Sequence, residues 1–210
     1  MPCESKVVGA QLVSSTPPLG GVSFRPSRFY NEEMALGNKI EGKQIRLRPY
    51  LPDDIDAWQK WNIDPEVQKF MPEPANKPTS RQEQLKYLEE CRVDEEGIYW
   101  TIVDKTSDQA IGSIAITEIN RHHGIGELGF FVGEKSYWSK GVITEAIGLV
   151  SDYAKKHMGL RRLVAEYENG NEGVRITLER NNFTLEGVAK ESRVKQGKPI
   201  DTTRYFRLLK

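Results

Sequence analysis

The chain has 210 residues, of which 38% belong to the hydrophobic set and 29% are charged, a size and balance that suit one domain around one core and exclude wholesale disorder. Basic and acidic residues number 30 each, so no global field draws the molecule to nucleic acid or to an anionic membrane, and no run nears the roughly 18 apolar residues of a membrane helix. The two cysteines, Cys3 and Cys91, build neither a disulfide framework nor a four-ligand zinc site, and the start lacks the apolar stretch of a signal peptide; a cytoplasmic protein without metal is the expectation.

Residues 1–43 show little sustained period, and Ser14-Ser15-Thr16-Pro17-Pro18-Leu19-Gly20-Gly21 is rich in breakers of helix and strand. The expectation is an irregular N-terminal arm. Its Phe24, Phe29, Tyr30, Met34 and Leu36 suit packing on the domain or on a second subunit, which leaves a homodimer open beside a plain flexible tail. The domain itself is expected over 44–210. Ile45-Arg46-Leu47-Arg48 alternates with period two, as in a half-buried strand, and Pro49 closes it. Pro52-Asp53-Asp54 puts acidic residues at a helix start, where they favour capping and the macrodipole, and Ile55, Trp58 and Trp61 mark the buried face. Pro72, Pro74 and Pro78 force a loop, after which Thr79 or Ser80 caps a helix with Leu85, Leu88 and Cys91 on one side.

The centre is β-rich. Tyr99 to Val103 reads as a strand, Ser107-Asp108 as a turn, Ile111 to Ile119 as a second strand, Asn120 to Gly124 as the next turn and Glu127 to Val132 as a third strand. From Val142 the period becomes helical, with Ile143, Ala146, Ile147, Val150 and Ala154 on one face, basic residues Lys155, Lys156 and His157 in the last turn and Gly159 as the stop. A strand from Arg162 to Tyr167, a short helix from Glu172 to about Arg180, and a hairpin of Phe183–Val194 with Ile200–Leu209 joined through Gln196-Gly197-Lys198-Pro199 complete the chain.

Gly124-Ile125-Gly126-Glu127-Leu128-Gly129 matches the dinucleotide pattern G-x-G-x-x-G, but strand-like Phe130-Phe131-Val132 follows where that pattern needs a helix. His122-His123 has no further ligands at metal spacing, and Asn181-Asn182 suits a helix end, where asparagine tolerates positive φ. Tyr137-Trp138-Ser139-Lys140-Gly141-Val142-Ile143-Thr144-Glu145-Ala146 is more informative. It joins a strand to the best amphipathic helix, whose first turn carries unpaired amides and a positive dipole end. Gly141 keeps no side chain between ligand and backbone, while Lys140 and Thr144 offer a charge and a hydroxyl. The segment reads as an anion seat or as a tight strand-to-helix turn.

The order strand, two helices, three-stranded meander, helix, strand, helix, hairpin resembles the GNAT N-acetyltransferase superfamily from about Gln44 to the end. Trp61-Asn62-Ile63-Asp64-Pro65-Glu66-Val67, Gly126 to Val132, Tyr137 to Ala146 and Asn171 to Phe183 look like the branch that contains the ribosomal-protein N-terminal acetyltransferases. The family's pyrophosphate loop, Gln/Arg-x-x-Gly-x-Gly/Ala, falls on Trp138 to Ile143, with Gly141 in agreement and Trp138 and Ile143 differing. Asn171 keeps the branch's Asn-x-x-Ser start, Val174 stands at the serine, and Asn182-Phe183 replaces Gly-Phe.

The resemblance implies a single α/β (α+β) domain with a mixed, mostly antiparallel sheet and flanking helices. It also implies an acetyltransferase that uses acetyl-CoA, and no metal, to modify a primary amine: a protein N-terminus or a small molecule. The cofactor would lie between the strand ending at Phe131-Val132 and the strand Leu163 to Tyr167, with Trp138, Ser139, Lys140, Gly141, Val142, Ile143, Thr144 and Asn171 around it. Glu127 would be the base, directly or through water, or else a charge on the solvent side of its strand. Tyr205 would protonate the leaving thiolate, or else be a core tyrosine. A non-catalytic acyl-CoA-binding module on the same fold is the other reading.

Overall fold

A computed structural model describes residues 37–71 and 80–210; most of the expected arm and the Pro72, Pro74, Pro78 and Thr79 positions lie outside the described residues. An eight-stranded sheet carries the fold, built from β1 (Ile40–Glu41), β2 (Ile45–Arg48), β3 (Ile98–Asp104), β4 (Ala110–Asn120), β5 (Ile125–Val132), β6 (Arg162–Glu168), β7 (Thr184–Lys195) and β8 (Lys198–Leu208). Their order is β1-β2-β3-β4-β5-β6-β8-β7, and β5 with β6 is the parallel pair in an otherwise antiparallel sheet. Helices α1 (Ile55–Asn62), α2 (Pro65–Gln68) and α3 (Arg81–Arg92) pack on one face, and α4 (Val142–Met158) and α5 (Glu172–Arg180) on the other.

Period two explains how the strands serve both layers. Ile114, Ile116, Leu128, Phe130, Leu163 and Ala165 enter the core beneath α4, with Ala146, Ile147, Val150 and Ala154 from the helix. The alternate residues Ala115 and Phe131 meet Trp58, Trp61, Leu88 and Cys91. Gly159 ends α4 at φ 65, as the sequence predicts. Asn182 takes φ 60 after α5. The hairpin turn is tighter than expected: Lys198 and Pro199 already pair with Lys195 and Val194, leaving Gln196 and Gly197 at φ 50 and 73, the two positive values of a two-residue hairpin turn.

Two further expectations change. On α3, Gln84 is buried and Leu85 is 41% exposed, with Leu88 and Cys91 inside; steps of i, i+4, i+7 hold one face, whereas each three-residue step drifts by about 60°. Ser80 caps that helix with Glu83 in a reciprocal box. Asp54 does not cap α1. Its carboxylate, 2% exposed, accepts from both Arg48 Nη atoms at 2.8 and 2.6 Å, from the Leu51 N–H at 2.9 Å and from Thr101 Oγ1 at 2.6 Å. It thus pins β2, the following turn and β3 together. Asp54→Ala leaves Arg48 and Thr101 facing a buried gap and is expected to cost about 3–5 kcal/mol, read in urea unfolding; a change under about 1 kcal/mol would deny the carboxylate that role.

Residues 37–43 are tied to the sheet: Gly37 N–H donates to Tyr99 O, Trp100 Nε1 to Asn38 O, and Ile40 pairs with Leu47. Among the described residues no helix is long and apolar enough to cross a membrane.

Candidate active site

The β5–β6 pairing runs only through Ile125 with Arg162, Gly126 with Leu163 and Glu127 with Val164. Beyond it, Leu128 to Val132 is laddered to β4 alone, and a cavity of about 990 Å³ occupies the gap. One wall is Leu128, Phe130, Phe131 and Val132, the facing wall Ala165 to Glu168. This is the splay the resemblance implied.

One end of the cavity is the start of α4. Ser139 at φ 62 and Gly141 at φ 78 turn the chain into the helix, and no side chain caps it. A Cβ on Gly141 would meet nothing within 4 Å, so the approach to the first-turn amides of Val142, Ile143 and Thr144 is open. Those amides lack intrahelical acceptors and sit at the positive dipole end. Trp138 donates its indole N–H to Val132 O at 2.9 Å, fastening this loop to the end of β5. Ile143 packs, half-buried, on the core. Asn171 Oδ1 accepts the Val174 N–H at 3.3 Å and so caps α5 while facing the cavity, and Val174 lines it too.

The structure therefore brings Phe131, Val132, Trp138, Ser139, Gly141, Val142, Ile143, Thr144 and Asn171 onto one cavity. Three expected residues are not on its wall. The Lys140 ammonium lies 5.3 Å over the Tyr137 ring instead. Tyr205, opposite Ala165 on β8, is one strand away from the gap and its hydroxyl donates to Glu179 of α5 at 3.1 Å.

Glu127 is the third, and it does not sit on the solvent side of its strand. It is 5% exposed, and its Oε1 is buried without a hydrogen-bond partner among the described residues. Burial pushes its pKa up to about 8, with the Glu118 and Glu166 carboxylates adding to the effect and Arg204 and Arg193 opposing it. It stands at the last β5–β6 pair, where the strands part, and Glu166 and Arg193 of the wall, paired at 2.6 Å, lie within its electrostatic reach.

Sequence reasoning missed Arg180, exposed on the wall in the last turn of α5 and without an ion-pair partner among the described residues. A basic residue there is already explained by the helix dipole, so nothing flagged it. It also missed Lys69 and Phe70 after α2, which line the cavity together with Glu191 to Lys195 of β7. His122 and His123 meet edge to face with ring centroids 4.8 Å apart in the β4–β5 turn, and no group of three or more metal-ligating side chains occurs among the described residues.

Known proteins resemble this chain in sequence and share its fold. An uncharacterized N-acetyltransferase p20 of Bacillus licheniformis is 26% identical over 169 residues, 80% of this chain and 94% of that one. The structure of RimL, a ribosomal L7/L12 alpha-N-protein acetyltransferase in complex with coenzyme A, superposes with a TM-score of 0.72 at 19% identity over 81% of this chain and 98% of its own. The microcin C7 self-immunity acetyltransferase MccE, in complex with acetyl-CoA and AMP, gives 0.70 at 21% identity over 80% and 93%. Residues 44–184 match the acetyltransferase (GNAT) domain model, and the chain belongs to that family of N-acetyltransferases.

Proposed function

We propose that the chain moves the acetyl group of acetyl-CoA directly onto the nitrogen of a primary amine, with Glu127 as the base. The observation that carries this reading is the parting of β5 from β6 at Glu127 and Val164, which lets one cavity run from the open start of α4 to the charged faces of β6 and β7.

The residues present fit coenzyme A. Uncapped amides at Val142, Ile143 and Thr144 suit a diphosphate, Gly141 leaves room for it, and Arg180 adds a charge for a phosphate. The β5 edge from Leu128 to Val132 suits the amides of a pantetheine arm, while Trp138 keeps the Val132 carbonyl engaged. Bound there, acetyl-CoA supplies a thioester that an amine can attack without a protein nucleophile.

The chain's own groups do the rest. An N–H on the β5 edge polarises the thioester carbonyl as it gains charge. Only a neutral amine has a free lone pair; an α-amine near pKa 8 is partly neutral at pH 7, and a lysine-type amine near 10.4 needs more help. Glu127, with a pKa of about 8, is matched to accept that proton, through a water on the Glu166 side of the wall. Tyr205 gives its hydroxyl to Glu179, so the proton that Glu127 takes is the one at hand for the departing thiolate.

A pure acyl-CoA-binding module needs the anion seat but gains nothing from a buried carboxylate at the strand gap with one oxygen left without a partner among the described residues, which favours the enzyme. The test is release of free CoA thiol from acetyl-CoA across a panel of primary amines that includes N-terminal peptides, given the likeness to RimL. Amine-dependent release is expected. Tight acetyl-CoA binding with no release for any amine would overturn the proposal and leave the binding module.

A further inference from the structure

Lys195 ends β7, and its ammonium is held by groups from two other parts of the chain. It pairs with the Glu168 carboxylate at the end of β6, donates to Lys69 O at 2.5 Å and lies 5.9 Å from the centre of the Phe70 ring. The Lys195 and Glu168 side chains are only 12% and 19% exposed. A carboxylate, a carbonyl and an aromatic face are the partners by which proteins hold organic cations. All of these groups stand on the wall of the cavity. Glu168 also shares a strand face with Val164, which pairs with Glu127. Four residues along β6 separate the two positions, about 13 Å at 3.3 Å per residue.

We infer that the acceptor carries a second cationic nitrogen, and that this nitrogen takes the place of the Lys195 ammonium in the Glu168, Lys69 and Phe70 cradle while the first is acetylated beside Glu127. The inference rests on the acetyl-transfer reading for the place of the reacting nitrogen. The exchange is balanced in charge: one ammonium replaces another, so Glu168 is never left bare. Lys195 itself precedes the two-residue turn of the hairpin, where its side chain swings into water without breaking a ladder bond and regains rotamer freedom. The fitting chemistry is a long diamine or polyamine, with nitrogens about 10–13 Å apart on that strand spacing.

Octane-1,8-diamine and octylamine, which share a chain and differ in the second ammonium, test this by calorimetric titration into the protein, alone and with saturating CoA. The diamine is expected to bind more tightly. Lys195→Met vacates the cradle and tightens diamine binding by about tenfold, and Glu168→Gln weakens it by about tenfold, the scale of one charge-assisted contact with a cation–π contact; octylamine is unmoved by either. Unchanged CoA affinity shows each variant folded. Weakening of both amines by Lys195→Met, the mark of a mere clasp between two walls, would overturn the inference, as would equal or absent binding of the two amines. Amine binding is read without turnover. Lost diamine preference with CoA release intact therefore sinks this inference alone, and retained preference without CoA release sinks the acetyl-transfer reading alone.

Discussion

Replacing Gly141 by glutamate abolishes coenzyme A binding and leaves the domain folded. The backbone at Gly141 has φ 78 and a Cβ there would meet no atom within 4 Å, so the substitution meets no clash and costs only the left-handed conformation, about 1–2 kcal/mol. In a chain of this length that lowers Tm by roughly 2–8 °C. The effect on the ligand is far larger. The new carboxylate sits in front of the Val142, Ile143 and Thr144 amides, where it both repels a diphosphate and caps the donors the diphosphate needs. Losing two such charge-assisted contacts, at about 1.5–3 kcal/mol each, weakens binding by at least ~100-fold. Gly141→Ala is the control: it carries the same backbone cost without the charge and keeps most of the affinity. Calorimetry with acetyl-CoA and a thermal melt read both quantities. A Gly141→Glu protein that binds like the unaltered one would remove the start of α4 from the site.

How much of this was legible beforehand follows from the range of the forces involved. Local signals worked: the period of α4, its Gly159 stop, the cap expected at Thr79 or Ser80 and found at Ser80, and the positive φ of Asn182 depend on neighbours within a turn. The uncapped start of α4 at Gly141 was visible for the same reason, since it is written in four or five consecutive residues. Glu127 was legible as a candidate but not as a buried group. Period two assigns it a face, and only the tertiary packing over that face decides that it is 5% exposed. Asp54 misled because its acidic position at a helix start has a local explanation, while its actual partners, Arg48 and Thr101, come from two strands. The Lys195 cradle was invisible: Lys69, Glu168 and Lys195 are brought together by the closing hairpin, which no spacing in the chain encodes.

Glu127→Gln should lose activity and gain stability, and the two effects should follow pH in a linked way. A base with a pKa of about 8 is charged above that value and protonated below it, so its contribution to kcat/KM rises with pH. The ratio of the unaltered to the variant profile cancels the acceptor's own ionisation. That ratio is expected to be about 100-fold at pH 9, at the low end for a positioned base, and to fall about tenfold per pH unit below 8, reaching near parity at pH 6. Stability runs the other way. Between the ordinary glutamate value of 4.5 and about 8, the native protein holds a proton that the unfolded chain has released, so Glu127 makes folding less favourable as pH rises through that window. Glutamine, of the same shape and never charged, escapes the effect. At pH 7 the variant is expected to be more stable by about 3 kcal/mol, and at pH 5 by less than about 1 kcal/mol, measured by urea unfolding at both values. The opposite signs separate two roles for a buried carboxylate. A residue that merely completes the fold would lower stability when neutralised, whereas one kept at a cost to the fold, and needed in its charged form, is serving the chemistry; a flat ratio of pH profiles would take Glu127 out of the reaction whatever the unfolding curves do.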